Sequence, residues 1–338
     1  MAISLNFILK EMTTLRYFIP LTIEATKRGI VSRYFTCPTP AKYSSPCRSR
    51  NRAMLEEYSK MYGFEIHDAS TAKDFEGTFF MIEGTGTELL GNHHRKFSIT
   101  CNDDFMGHHP RYINKVDGAI FPSEYVARHY DKMNPRNLYF GSPKYDVKFD
   151  KEKILEKYNI PDLNNVLILS PRHRDIPKSC MEGIIAATTK KGYRTLVKSR
   201  GKEPAPSAHR GSMYFEDISW YPHDSIELMK VSQLLINFCS TAIKEATILD
   251  VPVLNIDVKP QVRHGIDYGK HRLGYSFLYE QDFCRNLKAP PSLEEFNSAF
   301  DELISNDWSS SFSEARKKYL FEGSSSKRIL DHIEGLSE

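Results

Sequence analysis

The sequence predicts an α/β protein made of two doubly wound domains, each a parallel sheet covered by helices. Three observations predict it. Strand-like apolar runs and helix-like segments alternate along nearly the whole chain, as they do where crossover helices join parallel strands. At 338 residues the chain is too long for one ordinary core and suits about two domains of ~150 residues each. Near the middle, the turn-rich run Phe140-Gly-Ser-Pro-Lys-Tyr-Asp146 is followed by a charged helical segment, Lys151–Tyr158. The expected boundary lies within 141–160. It gives a first domain over 1–145 and a second over 146–338, whose last helix can pack back onto the first.

In order along the first half, Ile3–Leu9 reads as a strand, Thr13–Arg28 as a helix and Ile30–Thr36 as a strand. Arg50–Tyr62 reads as a helix stopped by Gly63. Short strands are expected at Phe64–Asp68, Thr78–Ile82, Phe97–Thr100 and Gly118–Pro122, with Glu124–Lys132 the helix after the last. In the second half the strands are Val166–Ser170, Arg194–Lys198, Met213–Asp217, Leu234–Phe238 and Pro252–Ile256. Ser179–Lys191 and Asp224–Val231 read as intervening helices, Ser199–Ser212 as a Gly, Pro and Ser loop, and Leu293–Ser305 and Ser326–Glu334 as helical.

The segment Asp224–Asp257 carries the most functional information. Leu234-Leu235-Ile236-Asn237-Phe238 has the apolar character of a fully buried parallel strand, and Cys239-Ser240-Thr241 places small and hydroxyl residues where the next helix should start. Open α/β sheets bind ligands outside the carboxyl ends of their strands, and unpaired N–H groups at such turns suit anions. A phosphate site is the natural expectation, against the plainer reading of Ser240 and Thr241 as helix caps.

Composition removes several function classes. With 46 Lys and Arg against 43 Asp and Glu the net charge is +3, without the basic runs of a polyanion binder, so no nucleic acid is expected as partner. The six cysteines are scattered and form no C-x-x-C pair, which argues against a zinc ribbon or a dense disulfide framework and for a reducing, cytoplasmic setting. No apolar run approaches the ~18 residues of a membrane span. The apolar N-terminus lacks a basic leader and is broken by Lys10, Glu11 and Arg16, so it reads as a strand and helix. Gly84-x-Gly86 would need glycine at 89 for a dinucleotide fingerprint, and Leu89 stands there. Neither a P-loop nor a G-x-S-x-G elbow occurs.

Four segments in order carry a family resemblance. They are Gly141-Ser-Pro-Lys-Tyr-Asp146, Ser170-Pro-Arg-His-Arg-Asp175, Leu196-Val-Lys-Ser199 and Asn237-Phe-Cys-Ser-Thr-Ala-Ile-Lys-Glu245. Together, in this order along the chain, they resemble the GT-B glycosyltransferases. More narrowly they resemble the group holding nucleotide-sugar 2-epimerases and teichoic-acid glycerophosphotransferases. The first half resembles that group in segment order and in Val116-Asp-Gly-Ala-Ile-Phe-Pro-Ser-Glu124. The resemblance implies two Rossmann-like domains facing across a cleft, with a nucleotide sugar held mainly by the second.

On that footing Ser240, Thr241, Arg172, His173, Arg174 and, more weakly, Lys198 are candidates for the diphosphate, since cations at a strand's carboxyl end stabilise a departing diphosphate more than the bound donor. Glu245 could accept hydrogen bonds from the ribose hydroxyls, a role the resemblance also implies. A base for the acceptor hydroxyl is sought in the first domain: Glu83 after Phe79–Ile82, Asp103 and Asp104 after Phe97–Thr100, or the histidines His108-His109 and His93-His94. Asn102-Asp103-Asp104 is not an Asp-x-Asp metal motif, so neither metal nor cofactor is expected, and the nucleotide diphosphate sugar enters as substrate. The expected activity is transfer of a sugar to a hydroxyl of a carbohydrate or glycan. The alternatives are a nucleotide-sugar 2-epimerase, a polyol-phosphate transferase and a non-catalytic sugar-binding module.

Overall fold

The computed structural model describes residues 3–37, 44–100, 113–129, 133–170, 178–199, 212–216, 219–258 and 277–336. The chain forms two compact units, one of residues 1–147 together with 320–338 and one of residues 148–319.

The first unit is built on a seven-stranded sheet of β1 (Ser4–Leu9), β2 (Val31–Thr36), β3 (Glu65–Asp68), β4 (Thr78–Ile82), β5 (Arg95–Ile99), β6 (Gly118–Phe121) and β7 (Asn137–Tyr139). Its order is β3-β2-β1-β4-β5-β6-β7 and every pairing is parallel. Central strands buried on both faces are mostly apolar, and β4, Thr-Phe-Phe-Met-Ile, is buried at all five positions. Phe7 anchors one face, with its ring 5.0 Å from Phe18 of helix Leu15–Lys27, 4.9 Å from Tyr34 and 5.6 Å from Phe80. Helix Ser49–Tyr62 stops where Gly63 adopts a left-handed φ of 72°, as the sequence anticipated.

The C-terminal helix Ser325–Gly335 also belongs to this unit and buries Ile329, Leu330 and Ile333. Asp146 secures its first turn. The carboxylate accepts from the backbone N–H of Ser325 (3.0 Å) and Ser326 (2.5 Å), and the Ser324 hydroxyl lies 3.4 Å away. Gly141, at φ +82°, has no room for a side chain, because an added Cβ would lie 2.3 Å from Ser325 Oγ and 2.5 Å from Phe321 Cβ.

The second unit carries a six-stranded sheet of β8 (Asn165–Leu169), β9 (Arg194–Lys198), β10 (Met213–Phe215), β11 (Leu234–Asn237), β12 (Val253–Asp257) and β13 (Cys284–Lys288). The order is β10-β9-β8-β11-β12-β13, again all parallel. Helix Leu293–Ser305 covers one face with Phe296, Phe300 and Leu303, packed on Val166, Ile168, Ile236 and Leu254. A reciprocal capping box between Ser292 and Glu295 starts that helix, and Phe296, Phe300 and Leu303 each contribute roughly 2 kcal/mol by burial.

Both sheets therefore show the doubly wound order, which reverses direction between β1 and β4 in the first and between β8 and β11 in the second. Three elements depart from the sequence reading. Strands β7 and β13 and helix Ser309–Tyr319 are present where none was expected. Among the described residues no helix is long and apolar enough to cross a membrane.

Candidate functional site

The switch point of the second sheet brings the ends of β8, β9 and β11 together. Lys198 ends β9, and its backbone carbonyl receives the N–H of Ser170, the residue after β8, at 3.0 Å. The Lys198 side chain is 2 % exposed, and Nζ donates to the Ser199 carbonyl at 3.0 Å. An ammonium this buried loses much of its hydration and so depends on polar partners in the fold. Ser240 lies beyond β11, two strand spacings or about 10 Å across the sheet.

The turn after β11 differs from the expected helix cap. Cys239 adopts a left-handed φ of 51°, residues 240–242 continue the turn, and the helix runs only over Ile243–Ile248. A helix this short has a weak dipole, so the turn's own N–H and hydroxyl groups are the useful donors. The Ser240 hydroxyl accepts from the Ala242 N–H at 3.4 Å and keeps its own hydrogen to donate. Thr241 is exposed.

Beneath the turn sits a buried polar network. Asn237 Nδ2 donates to the Ser240 carbonyl at 3.2 Å and to Tyr279 Oη at 2.9 Å. Tyr279 in turn donates to the same carbonyl at 2.7 Å. Asn255 accepts from the Cys239 N–H at 2.9 Å and donates to Asn286 Oδ1 at 2.9 Å, while Asn286 donates to the Tyr279 carbonyl at 2.7 Å. The three asparagines are register partners on β11, β12 and β13, which is why they share one face of the sheet.

Glu245 is 5 % exposed, so it is no solvated helix glutamate, and the neighbouring Lys244 is 6 % exposed. Lys244 escaped the sequence reading, although a Lys-Glu pair inside the otherwise apolar or small run Ala242–Thr247 was a usable signal. Burial and the nearby Asp257 carboxylate, 3.3 Å from Sγ, push the Cys239 thiol up to about 11, which disfavours the thiolate.

In the first unit the corresponding switch point joins the ends of β1 and β4. Glu83 follows β4 with a left-handed φ of 48°, its N–H donating to the Ile99 carbonyl at 3.2 Å. Gly84 and Gly86 complete a tight turn in which the Gly84 N–H donates to Ser98 Oγ at 2.9 Å. A non-glycine residue held at positive φ costs energy, and such residues cluster at functional positions. Across from it, Lys10 pairs with Glu88 at 2.6 Å; burial pushes the Glu88 carboxyl up, but the Lys10 ammonium prevails and holds it below its ordinary value. Glu11, beyond β1, has Ser44 Oγ at 3.4 Å and was not singled out from the sequence. His94 is a core histidine against the Phe79 ring at 5.1 Å, while His93 is exposed.

Asp103, Asp104, His108 and His109 lie outside the described residues, as do Arg172, His173 and Arg174. Among the described residues no cluster of His, Cys, Asp or Glu could hold a metal ion.

No protein-family description and no curated protein matches the sequence. Solved structures do. A crystal structure of the glycotransferase of kitacinnamycin matches with a TM-score of 0.63 and 11 % identity, covering 98 % of each chain. The wall teichoic acid polymerase TagF matches at 0.62 and 14 %, over 99 % of this chain and 89 % of that one. The UDP-GlcNAc 2-epimerase from Methanocaldococcus jannaschii, solved with UDP-GlcNAc and UDP, matches at 0.56 and 12 %, over 99 % and 100 %. The chain has a GT-B fold. Identities this low establish the GT-B architecture and leave the reaction to the chemistry of the site. Among the described residues, that GT-B framework has Lys198, Ser240 and Thr241 at or just beyond strand carboxyl ends of the second sheet, Glu245 within the helix after β11, and Glu83 just beyond a strand end of the first.

Proposed function

We propose that the protein is a glycosyltransferase that takes a sugar from a nucleotide diphosphate sugar and passes it to a hydroxyl of a carbohydrate or glycan acceptor. What supports this reading is a buried lysine at the carboxyl end of β9 and a hydroxyl-bearing turn after β11, on either side of the second sheet's switch point, with the turn's backbone fixed from below. Lys198 and the Ser240–Thr241 turn meet the diphosphate, and Glu245 meets the ribose hydroxyls. Breaking the glycosidic bond leaves a diphosphate of increasing negative charge. Donors and cations already in place stabilise that charge more in the transition state than in the bound donor. Glu83, at the β1–β4 switch point, is the candidate base for the acceptor hydroxyl. The likeness to a glycotransferase, a teichoic acid polymerase and a UDP-GlcNAc 2-epimerase solved with UDP-GlcNAc and UDP supports a nucleotide-activated donor.

The test is incubation with UDP-, GDP-, CDP- and ADP-sugars, with and without glycan acceptors, followed by chromatography of nucleotides and mass analysis of products. Acceptor-dependent release of nucleoside diphosphate with a glycosylated product is the expected result. An isomerised donor, a transferred polyol phosphate, or a bound donor recovered intact with every acceptor would each replace the proposal.

A further inference from the structure

The polar network under the turn leaves one acceptor unsatisfied among the described residues. Backbone groups fix the orientation of all three asparagine amides: Asn237 Nδ2 faces the Ser240 carbonyl, Asn255 Oδ1 faces the Cys239 N–H, and Asn286 Nδ2 faces the Tyr279 carbonyl. With these orientations set, Asn237 Oδ1 is buried without a hydrogen-bond partner among the described residues, in a side chain 0 % exposed. An orphaned acceptor is tolerated where geometry matters more than stability.

The geometry in question is that of one peptide. The Ser240 carbonyl draws three donors inward: Tyr279 Oη at 2.7 Å, Asn237 Nδ2 at 3.2 Å and the Ile243 N–H at 3.4 Å. A trans peptide is planar, with its C=O and N–H pointing in opposite directions. Pulling the Ser240 carbonyl down onto Tyr279 and Asn237 therefore turns the Thr241 N–H outward, away from the sheet. The register of β11, β12 and β13 supplies the rest of the clamp, because Asn286 steadies Asn255, which holds Cys239.

From this we infer that Tyr279, supported by Asn237, Asn255 and Asn286, is a positioning residue that aims the Thr241 N–H at the donor diphosphate. The inference rests on the nucleotide-sugar reading of the site. Tyr279 acts through the Ser240 carbonyl and touches no substrate itself. Removing its hydroxyl releases the strongest restraint on the peptide, so the loss falls on phosphate binding and not on the base or ribose.

The test uses the full chain at 25 °C, titrating UDP, GDP, CDP and ADP and the matching nucleosides by calorimetry, with the apo melting temperature recorded in parallel. For the nucleotide that binds best, Tyr279→Phe weakens the diphosphate about tenfold, the effect of one charge-assisted hydrogen bond, and leaves the nucleoside within about twofold. Asn286→Ala, one step further from the turn, weakens the diphosphate about threefold and serves if Tyr279→Phe does not fold. Equal affinity of wild type and variants for the diphosphate overturns the positioning role and leaves the site reading intact. A proportionate loss of diphosphate and nucleoside assigns Tyr279 a purely structural role and also overturns it. A wild-type protein that binds none of the four diphosphates overturns the site reading, and the inference with it.

Discussion

Replacing Asp146 by alanine tests how the C-terminal helix is held in the first unit. The carboxylate takes the backbone N–H groups of Ser325 and Ser326, both of which sit in buried residues. Each orphaned donor costs ~1–3 kcal/mol. Two opposing effects reduce the sum. Burial of the carboxylate already pushes its proton affinity up against four hydrogen-bonding interactions, so removing it recovers some desolvation cost. Ser324 continues to cap the helix through the Lys327 N–H at 3.2 Å. The net expectation for Asp146→Ala is a loss of ~2 kcal/mol. For a unit of this size that lowers the melting temperature by about 4–8 °C. The assay is thermal unfolding at pH 7 combined with limited proteolysis, with early release of the segment after Leu320. A melting temperature within a degree of wild type and unchanged protease resistance would refute the reasoning.

Three further outcomes are expected. Alkylation at pH 7.5 should modify exposed Cys47 well before Cys37, Cys239 and Cys284, whose thiols burial pushes up to about 11, 11 and 12, and peptide mass spectrometry reads the order. His332, held below its ordinary value of 6.5 by burial and Arg95, binds a proton more readily when unfolded. Its stabilising contribution is thus present above about pH 6.5 and lost as the pH falls through its lowered value, so His332→Gln should show a smaller drop in melting temperature from pH 7.5 to 5.5 than wild type. Gly86→Ala should destabilise by about 2–4 kcal/mol in chemical unfolding, because φ is +105° and the new methyl would lie 2.5 Å from Ile8 Cγ2.

The central strands were legible because double burial leaves them few polar positions; β4 and β11 stand out as mostly apolar runs for that reason, although Thr78 and Asn237 are buried within them. The elements missed carry weaker signals. Strand β13 is an edge whose Arg285, Asn286 and Lys288 break the apolar run, β7 has three residues, and helix Ser309–Tyr319 buries only Phe312, Ala315 and Tyr319 in a serine- and lysine-rich stretch. The turn at Ser240 was visible from its small residues. What fixes it was not, since Tyr279 lies 39 residues downstream and the asparagines meet only through strand register. Helix onset was misjudged too, because Cys239 at positive φ delays it to Ile243.

The central claim is that the second unit binds a nucleoside diphosphate through Lys198 and the Ser240 turn. Calorimetric titration of UDP, GDP, CDP and ADP into wild type, Lys198→Met and Ser240→Ala tests it most directly. The account predicts saturable binding of at least one diphosphate, weakened about 10- to 100-fold by Lys198→Met and about 3- to 10-fold by Ser240→Ala in proteins that melt normally. Absence of binding to wild type, or binding that neither substitution weakens, would contradict it.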